Sequence, residues 1–289
     1  MSMFKNLNAG AIGIRNYTLP QTIKLAQQTG FAGIDFDIRE AAGLVDERGL
    51  EAVRRLFSEA GVKPGLWGLP IDWRNDLQWE ADLAQLPRLA EVGRALGCLR
   101  TATWCPPNSP DRPYDENFTW HVNRFQPIAQ VLKDYDIRFG IEFIGPQSLR
   151  PPDRHAFIYT MEGMLELAEA IGAGNVGLLL DAWHLYTSGG SLDDLDKITA
   201  QNIVTVHVND APTGLTMATY NDHDRRLPME TGVIDLPGFM GKLVKLGYDG
   251  PITPEPFSKR VNAIEDPLEA AQLTAQYMDK LWHSSRVAR

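Results

Sequence analysis

Four residues in the second half of the chain have types and spacing that could do chemistry together. Glu142, Asp181, His207 and Glu255 are separated by 39, 26 and 48 residues. Each lies in or ends a short apolar run: FGIEF at 139–143, VGLLLD at 176–181, VTVHVND at 204–210 and ITPEPF at 252–257. One acidic residue at a strand end is commonly a solvated loop residue or the N-cap of the next helix. Four at recurring intervals suggest convergence. Three carboxylates brought together without a cation repel one another, which points to a bound metal as the organising charge. Three oxygen donors and one imidazole suit one fairly hard divalent ion with open positions, Mn2+ or Mg2+ first, with Co2+ or Zn2+ also fitting.

Such an ion, chelated by a carbonyl and a neighbouring hydroxyl, would stabilise the enediolate left when a proton is removed next to the carbonyl. Glu142 or Glu255 would take the proton, and one of them or water would return it. Return to the opposite face gives an epimer, and return to the adjacent carbon gives an aldose–ketose or inosose shift. Loss of a β-hydroxyl from the same species gives a dehydration.

These residues need elements to position them. Strand-like apolar runs occur at 7–14, 31–38, 62–69, 99–105, 138–144, 176–181, 203–209 and 251–257. Helix-like stretches alternate with them. Leu50, Val53, Leu56, Phe57 and Ala60 follow one helical face up to Gly61, and Met164, Leu167, Ala168 and Ile171 repeat the pattern before Gly172. Leu268, Ala271, Ala275, Met278 and Leu281 do so again, with Pro267 at a first-turn position. Alternation of this kind implies parallel strands joined by right-handed crossovers, and all-apolar strands imply that both faces are covered. Eight units in 289 residues predict an α/β fold, a single (β/α)8 TIM barrel forming one domain over 1–289. An open doubly wound sheet would carry a glycine-rich phosphate loop after its first strand, which Gly10 and Gly13 do not supply. In a barrel, the C-terminal strand ends form the active site, so the four residues share one level.

Composition narrows the classes further. A net charge of −9 argues against nucleic acid and anionic membrane as partners. No apolar run approaches a membrane span, and residues 1–10 lack the apolar core of a signal peptide. Cys98 and Cys105 make neither a disulfide framework nor a zinc cluster, so a reducing cytoplasm is the expected compartment.

The strings IEF at 141–143, LDAWH at 180–184, VHVND at 206–210 and PEPF at 254–257 resemble the xylose-isomerase-like barrel superfamily. The likeness is nearest to its sugar (phosphate) isomerase/epimerase branch, which includes ketose 3-epimerases and inosose isomerases and dehydratases. The resemblance runs through nearly the whole chain, with each motif in order at its expected strand. It implies that Glu142, Asp181, His207 and Glu255 are metal ligands and that the two glutamates are a proton-transfer pair on opposite faces of the substrate. It also implies that His184 lies beside the substrate and that Arg225 contacts it. The implied enzyme is an isomerase or epimerase of a keto-sugar or cyclic polyol, a homo-oligomer (dimer or tetramer), with an inosose-dehydratase-type lyase as the alternative. Two departures loosen the fit to a ketose 3-epimerase. Ser148 stands where those enzymes carry a substrate-binding Glu, and Pro228-Met229-Glu230-Thr231-Gly232 replaces a glycine-rich segment.

Other residues have competing readings. His184 either donates to a substrate oxygen or hydrogen-bonds a neighbouring carboxylate. Trp67 and Trp104 either wall a sugar ring or pack the barrel end. Arg150 and Arg154 flank Pro151-Pro152, with His155 adjacent, and either bind a substrate hydroxyl, carboxylate or phosphate or are solvated loop charges. Asp35 and Asp37 are assigned no role, and His121, His223 and His283 belong to no constellation. A DNA-repair role of the AP-endonuclease type would need extra histidines after the third and fourth strands, where Trp67-Gly68-Leu69 and Trp104-Cys105 stand. A non-catalytic sugar-binding barrel would not need two glutamates facing each other across a metal. No lysine/glycine-rich phosphate cradle is visible, which favours neutral or carboxylated sugars.

Overall fold

Among the described residues ten strands follow in chain order: β1 (Phe4–Leu7), β2 (Gly33–Phe36), β3 (Lys63–Gly68), β4 (Arg100–Cys105), β5 (Asn108–Ser109), β6 (Arg138–Phe143), β7 (His155–Ala156), β8 (Val176–Asp181), β9 (Ile203–Val208) and β10 (Pro251–Pro254). The computed structural model describes residues 2–285. Eight strands close into a parallel barrel in the order β1-β2-β3-β4-β6-β8-β9-β10, and β5 and β7 form a separate antiparallel pair. The expected (β/α)8 barrel is therefore the observed fold.

The helices form where period and caps ask for them. Leu50–Ala60 buries Val53 and Phe57 and stops at Gly61, whose φ of 65° only glycine adopts cheaply. Met161–Ile171 starts where Thr160 accepts from Gly163 N–H and ends at left-handed Gly172. Pro267–Ser284 is capped by Asp266. The crossover from β2 to β3 holds two helices, Ile38–Arg48 and Leu50–Ala60, rather than the expected one.

The first strand is the main departure. The run 7–14 reads as a strand, but β1 is Phe4–Leu7 and Gly10–Ile12 forms a 3-10 turn. Gly13 sets that turn: its φ is 83°, and a Cβ there would meet the Asn262 backbone at 2.8 Å.

β8 and β9 are buried along almost their whole lengths, as parallel strands covered on both faces must be. Register carries this order to the site: Trp104 of β4 lies beside Glu142 of β6, and Asp181 of β8 beside His207 of β9. Among the described residues no helix is long and apolar enough to cross a membrane.

Candidate metal centre

Glu142, Asp181 and His207 sit at the C-terminal ends of β6, β8 and β9, and Glu255 follows β10 directly. One donor atom from each lies within 4.8 Å of every other, and all four residues are buried. His207 Nδ1 is 3.3 Å from Glu255 Oε1 and 3.8 Å from Glu142 Oε1. Glu142 Oε1 and both ring nitrogens of His207 are sealed from water without a hydrogen-bond partner. Buried polar atoms are rarely left so, and several orphaned donors converging on one point fit a divalent cation.

Proteins that gather these groups must shift their protonation. Burial and the neighbouring Glu255 carboxylate push the Glu142 carboxyl well above its usual range. Burial would also raise Glu255, but His207 and Arg225 outweigh it and hold it at about 2. Burial disfavours the His207 imidazolium, yet Glu255, Glu142 and Asp181 raise it to about 10. The two glutamates thus differ in proton affinity, the arrangement an acid/base pair needs.

Asp181 does two jobs. Its Oδ1 caps the helix Ala182–Thr187 by accepting from Trp183 N–H at 2.7 Å, while its carboxylate also faces the donor cluster. Asn209, which the sequence did not single out, donates to the same Oδ1 at 3.1 Å.

Arg225 is drawn into the cluster. Its side chain is 1% exposed; Nη1 donates to Asp181 Oδ2 (2.9 Å), Glu255 Oε2 (3.0 Å) and the Glu255 carbonyl (3.3 Å). Nε and Nη2 donate to the Asp222 carbonyl (3.0 Å) and Oδ1 (2.8 Å). Asp222 also accepts from Trp183 Nε1 at 3.0 Å. Sequence reasoning missed Asp222; only its place three residues before Arg225 marks it.

His184 receives Gly145 N–H on Nδ1 at 3.1 Å. Arg225 Nη2 lies 3.2 Å from Nε2, so the Gly145 N–H and the guanidinium compete for the one acceptor nitrogen of a neutral ring. Burial and Arg225 lower its affinity for a second proton, keeping it neutral. Nε2 lies 3.8 Å from Glu142 Oε1. Gly145 allows this approach, because a Cβ there would lie 2.3 Å from the His184 carbonyl.

A cavity of about 540 Å3 opens over these groups, lined by Trp104, Glu142, His184, Asp222, Arg225 and Glu255 among others. Trp104 is 45% exposed with the Arg74 guanidinium 4.2 Å over its ring. Trp67 is buried and donates to the Cys98 carbonyl, so it packs the barrel. Arg150 stacks on Tyr159 at 3.8 Å and donates to the Gly145 carbonyl, away from the lining, whereas Arg154 joins the lining. Asp37 caps the helix Ile38–Arg48. Ser148 ties its loop to the Tyr220 carbonyl, and His121 sits in an aromatic cluster with Trp73, Trp120, Phe125 and Phe157. His223 lies edge-on to Phe257 at the cavity wall.

Two strained positions flank the site. Phe257, two residues past Glu255, has φ 39°, and Met229 has φ 65°. Met229 thus bears the left-handed backbone that a glycine-rich segment would accept without cost.

Comparison with known proteins identifies the family of the barrel. A family model described as xylose isomerase-like TIM barrel matches residues 23–281. An inosose isomerase of Halalkalibacterium halodurans is 31% identical over 140 residues, 47% of this chain and 45% of that one. A 3-dehydroshikimate dehydratase of Pseudomonas putida is 23% identical over 264 residues, 88% of this chain and 38% of that one. The chain spans about half the length of the inosose isomerases it matches. A xylose isomerase domain protein from Alicyclobacillus acidocaldarius superposes with a TM-score of 0.87 at 26% identity, covering 99% of this chain and all of that one.

Proposed function

The chain belongs to the xylose isomerase-like TIM barrel family, and on that premise we propose that it is a divalent-metal-dependent isomerase or epimerase of a keto-sugar or cyclic polyol. The observation that carries the reading is the convergence of Glu142, Asp181, His207 and Glu255, whose buried atoms include orphaned donors on Glu142 and His207. These four would hold the ion, Mn2+ or Mg2+ before Co2+ or Zn2+. When bound, the ion supplies a fixed positive charge against the negative charge that develops on an enediolate.

The chain's own residues do the proton work. Glu255, held ionised beside Arg225 and His207, takes the proton next to the carbonyl. One of the two glutamates, or water, returns the proton to the other face or to the adjacent carbon. His184 lines the cavity beside Glu142, with Nε2 3.8 Å from Glu142 Oε1, and contacts the substrate from there. Arg225 Nη1, bonded to both, fixes Asp181 and Glu255 relative to each other.

A second reading, a carbon–oxygen lyase of the inosose-dehydratase type, is favoured by the match to a dehydratase across 88% of this chain. The same enediolate would expel a β-hydroxyl, which leaves as water with the proton that Glu255 has taken. Under either reading the protein is cytoplasmic, a compartment that suits its two buried free cysteines, and works as a dimer or tetramer.

The test is proton exchange in D2O. The protein is stripped with EDTA, reloaded with Mn2+ and incubated with ketoses, aldoses and inososes, which are followed by NMR after metal removal. Metal-dependent deuterium next to the carbonyl is expected, and the labelled product distinguishes isomer, epimer and dehydration. Absence of exchange across the panel, with metal bound, overturns the enediolate reading.

A further inference from the structure

Beyond the donor cluster the cavity changes character. Trp104, Pro106, Pro107, Pro110, Ile144 and Leu149 present carbon there. Such walls leave the hydroxyls of an open-chain polyol desolvated and unpaired, whereas the C–H face of a ring packs against indole and pyrrolidine rings. One uncommitted cation stands at this end. Arg154 lines the cavity, and among the described residues its sole side-chain hydrogen bond is Nη1 to Asn108 Oδ1 at 3.5 Å. Among the described residues no carboxylate lies within ion-pair distance of it, while the cavity's other arginine, Arg225, is fully engaged with Asp181, Asp222 and Glu255.

Arg154 is exposed, yet it is not at the tip of a free loop. It directly precedes β7, which pairs with β5 through Asn108 with Ala156 and Ser109 with His155. Phe157 N–H donates to the Pro107 carbonyl at 2.9 Å, and Asn108 Nδ2 donates to the Leu149 carbonyl at 2.7 Å. Phe157 and Ile158 are buried, and Phe157 stacks on His121 with centroids 4.7 Å apart. The strand pair therefore fastens the segment after β4 to the segment after β6, with Arg154 beside the seam. Its guanidinium fork suits an oxyanion.

We infer that Arg154 recognises an oxyanion on the substrate, so that the substrate is a ring carrying a carboxylate or phosphate group. The anionic group rests at Arg154, and the reacting carbon faces Glu142 and Glu255. This names the substrate class of the proposed site and rests on the enediolate reading only for the chemistry after binding.

The test is calorimetric titration of the Mg2+-loaded full chain with cyclohexanecarboxylate, cyclohexyl phosphate and cyclohexanol. At least one anion is expected to bind about ten-fold or more tightly than cyclohexanol, and R154Q should lose that advantage at unchanged Tm. The EDTA-treated chain should show the same preference, because the anion is not held by the metal. Whichever anion binds better identifies carboxylate or phosphate as the source. Equal binding of cyclohexanol and both anions, or an anion preference that survives R154Q, overturns the inference. An Arg154-dependent preference without D2O exchange would leave this inference standing and remove the enediolate reading; exchange without the preference does the reverse.

Discussion

Arg225 Nη1 donates to Asp181 Oδ2 across 2.9 Å, with both side chains shut off from water. The guanidinium thus stands inside the donor cluster as a permanent cation. It offsets part of the repulsion among three carboxylates and leaves the rest for a divalent ion. Asp222 holds the far side of the same guanidinium and so fixes where that charge sits.

Removing this cation leaves buried carboxylates uncompensated. Arg225→Ala should cost roughly 3–5 kcal/mol in metal-free protein. Added Mn2+ should restore part of it, because a second cation can do the same work. Thermal unfolding with EDTA and with Mn2+ checks this, and an identical loss in both conditions would show that Arg225 does not compensate the cluster.

Burial and Glu255 push the Glu142 carboxyl well above its usual range in the metal-free cluster, and glutamine imitates the neutral form they favour. Glu142→Gln should therefore keep the metal-free Tm while lowering exchange or turnover by about 10²–10⁴-fold. Near-normal turnover would remove Glu142 from the proton-transfer pair.

Metal ligands must be deprotonated, while Glu142 is raised and His207 is raised to about 10. Divalent metal binding at pH 7 should therefore release protons, and affinity should weaken as pH falls. Calorimetry in two buffers of different ionisation enthalpy counts the protons. A buffer-independent heat would falsify the coupling.

Gly145 N–H at Nδ1, 3.1 Å away, competes with Arg225 Nη2 at Nε2, 3.2 Å away, to set the His184 tautomer, and the shorter backbone bond favours Nε2–H. In 15N NMR of the metal-free protein, His184 should show an Nε2–H ring that stays neutral below its ordinary pKa. Gly145→Ala, whose Cβ would lie 2.3 Å from the His184 carbonyl, should shift the helix Ala182–Thr187 and disturb that signal. An unchanged spectrum would mean that the bond does not set the tautomer.

Asp35 accepts from Asn6 Nδ2 at 2.6 Å, but its Oδ2 is sealed off without a partner. Burial raises its pKa to about 7. The folded state then binds a proton that the unfolded chain releases near pH 4, so this contribution is complete at low pH and is lost as pH rises through about 7. Asp35→Asn should be more stable than wild type at pH 8 and flatten the fall in Tm between about pH 4 and pH 7, measured in EDTA. A parallel pH profile would sink this assignment.

The barrel and its four candidate ligands were legible in the amino-acid sequence alone. Strand and helix periods are local properties, and parallel strands place every C-terminal end on one face, so residues that end strands must meet there. Glu142, Asp181, His207 and Glu255 could be read from their positions for that reason. Where one residue overrides the local pattern the reading slipped: Gly13 turns 10–12 into a 3-10 turn, and β1 ends at Leu7. Only the tertiary structure decided which way the polar side chains turn. Arg225 engages Asp181 and Glu255, Asp222 answers it, Arg154 rather than Arg150 lines the cavity, and Trp104 but not Trp67 faces the opening. Those choices depend on which partners barrel closure brings within about 3 Å, where charge-assisted hydrogen bonds form. Spacing along the chain places a residue at a rim, and the packed neighbours around it decide what its side chain does.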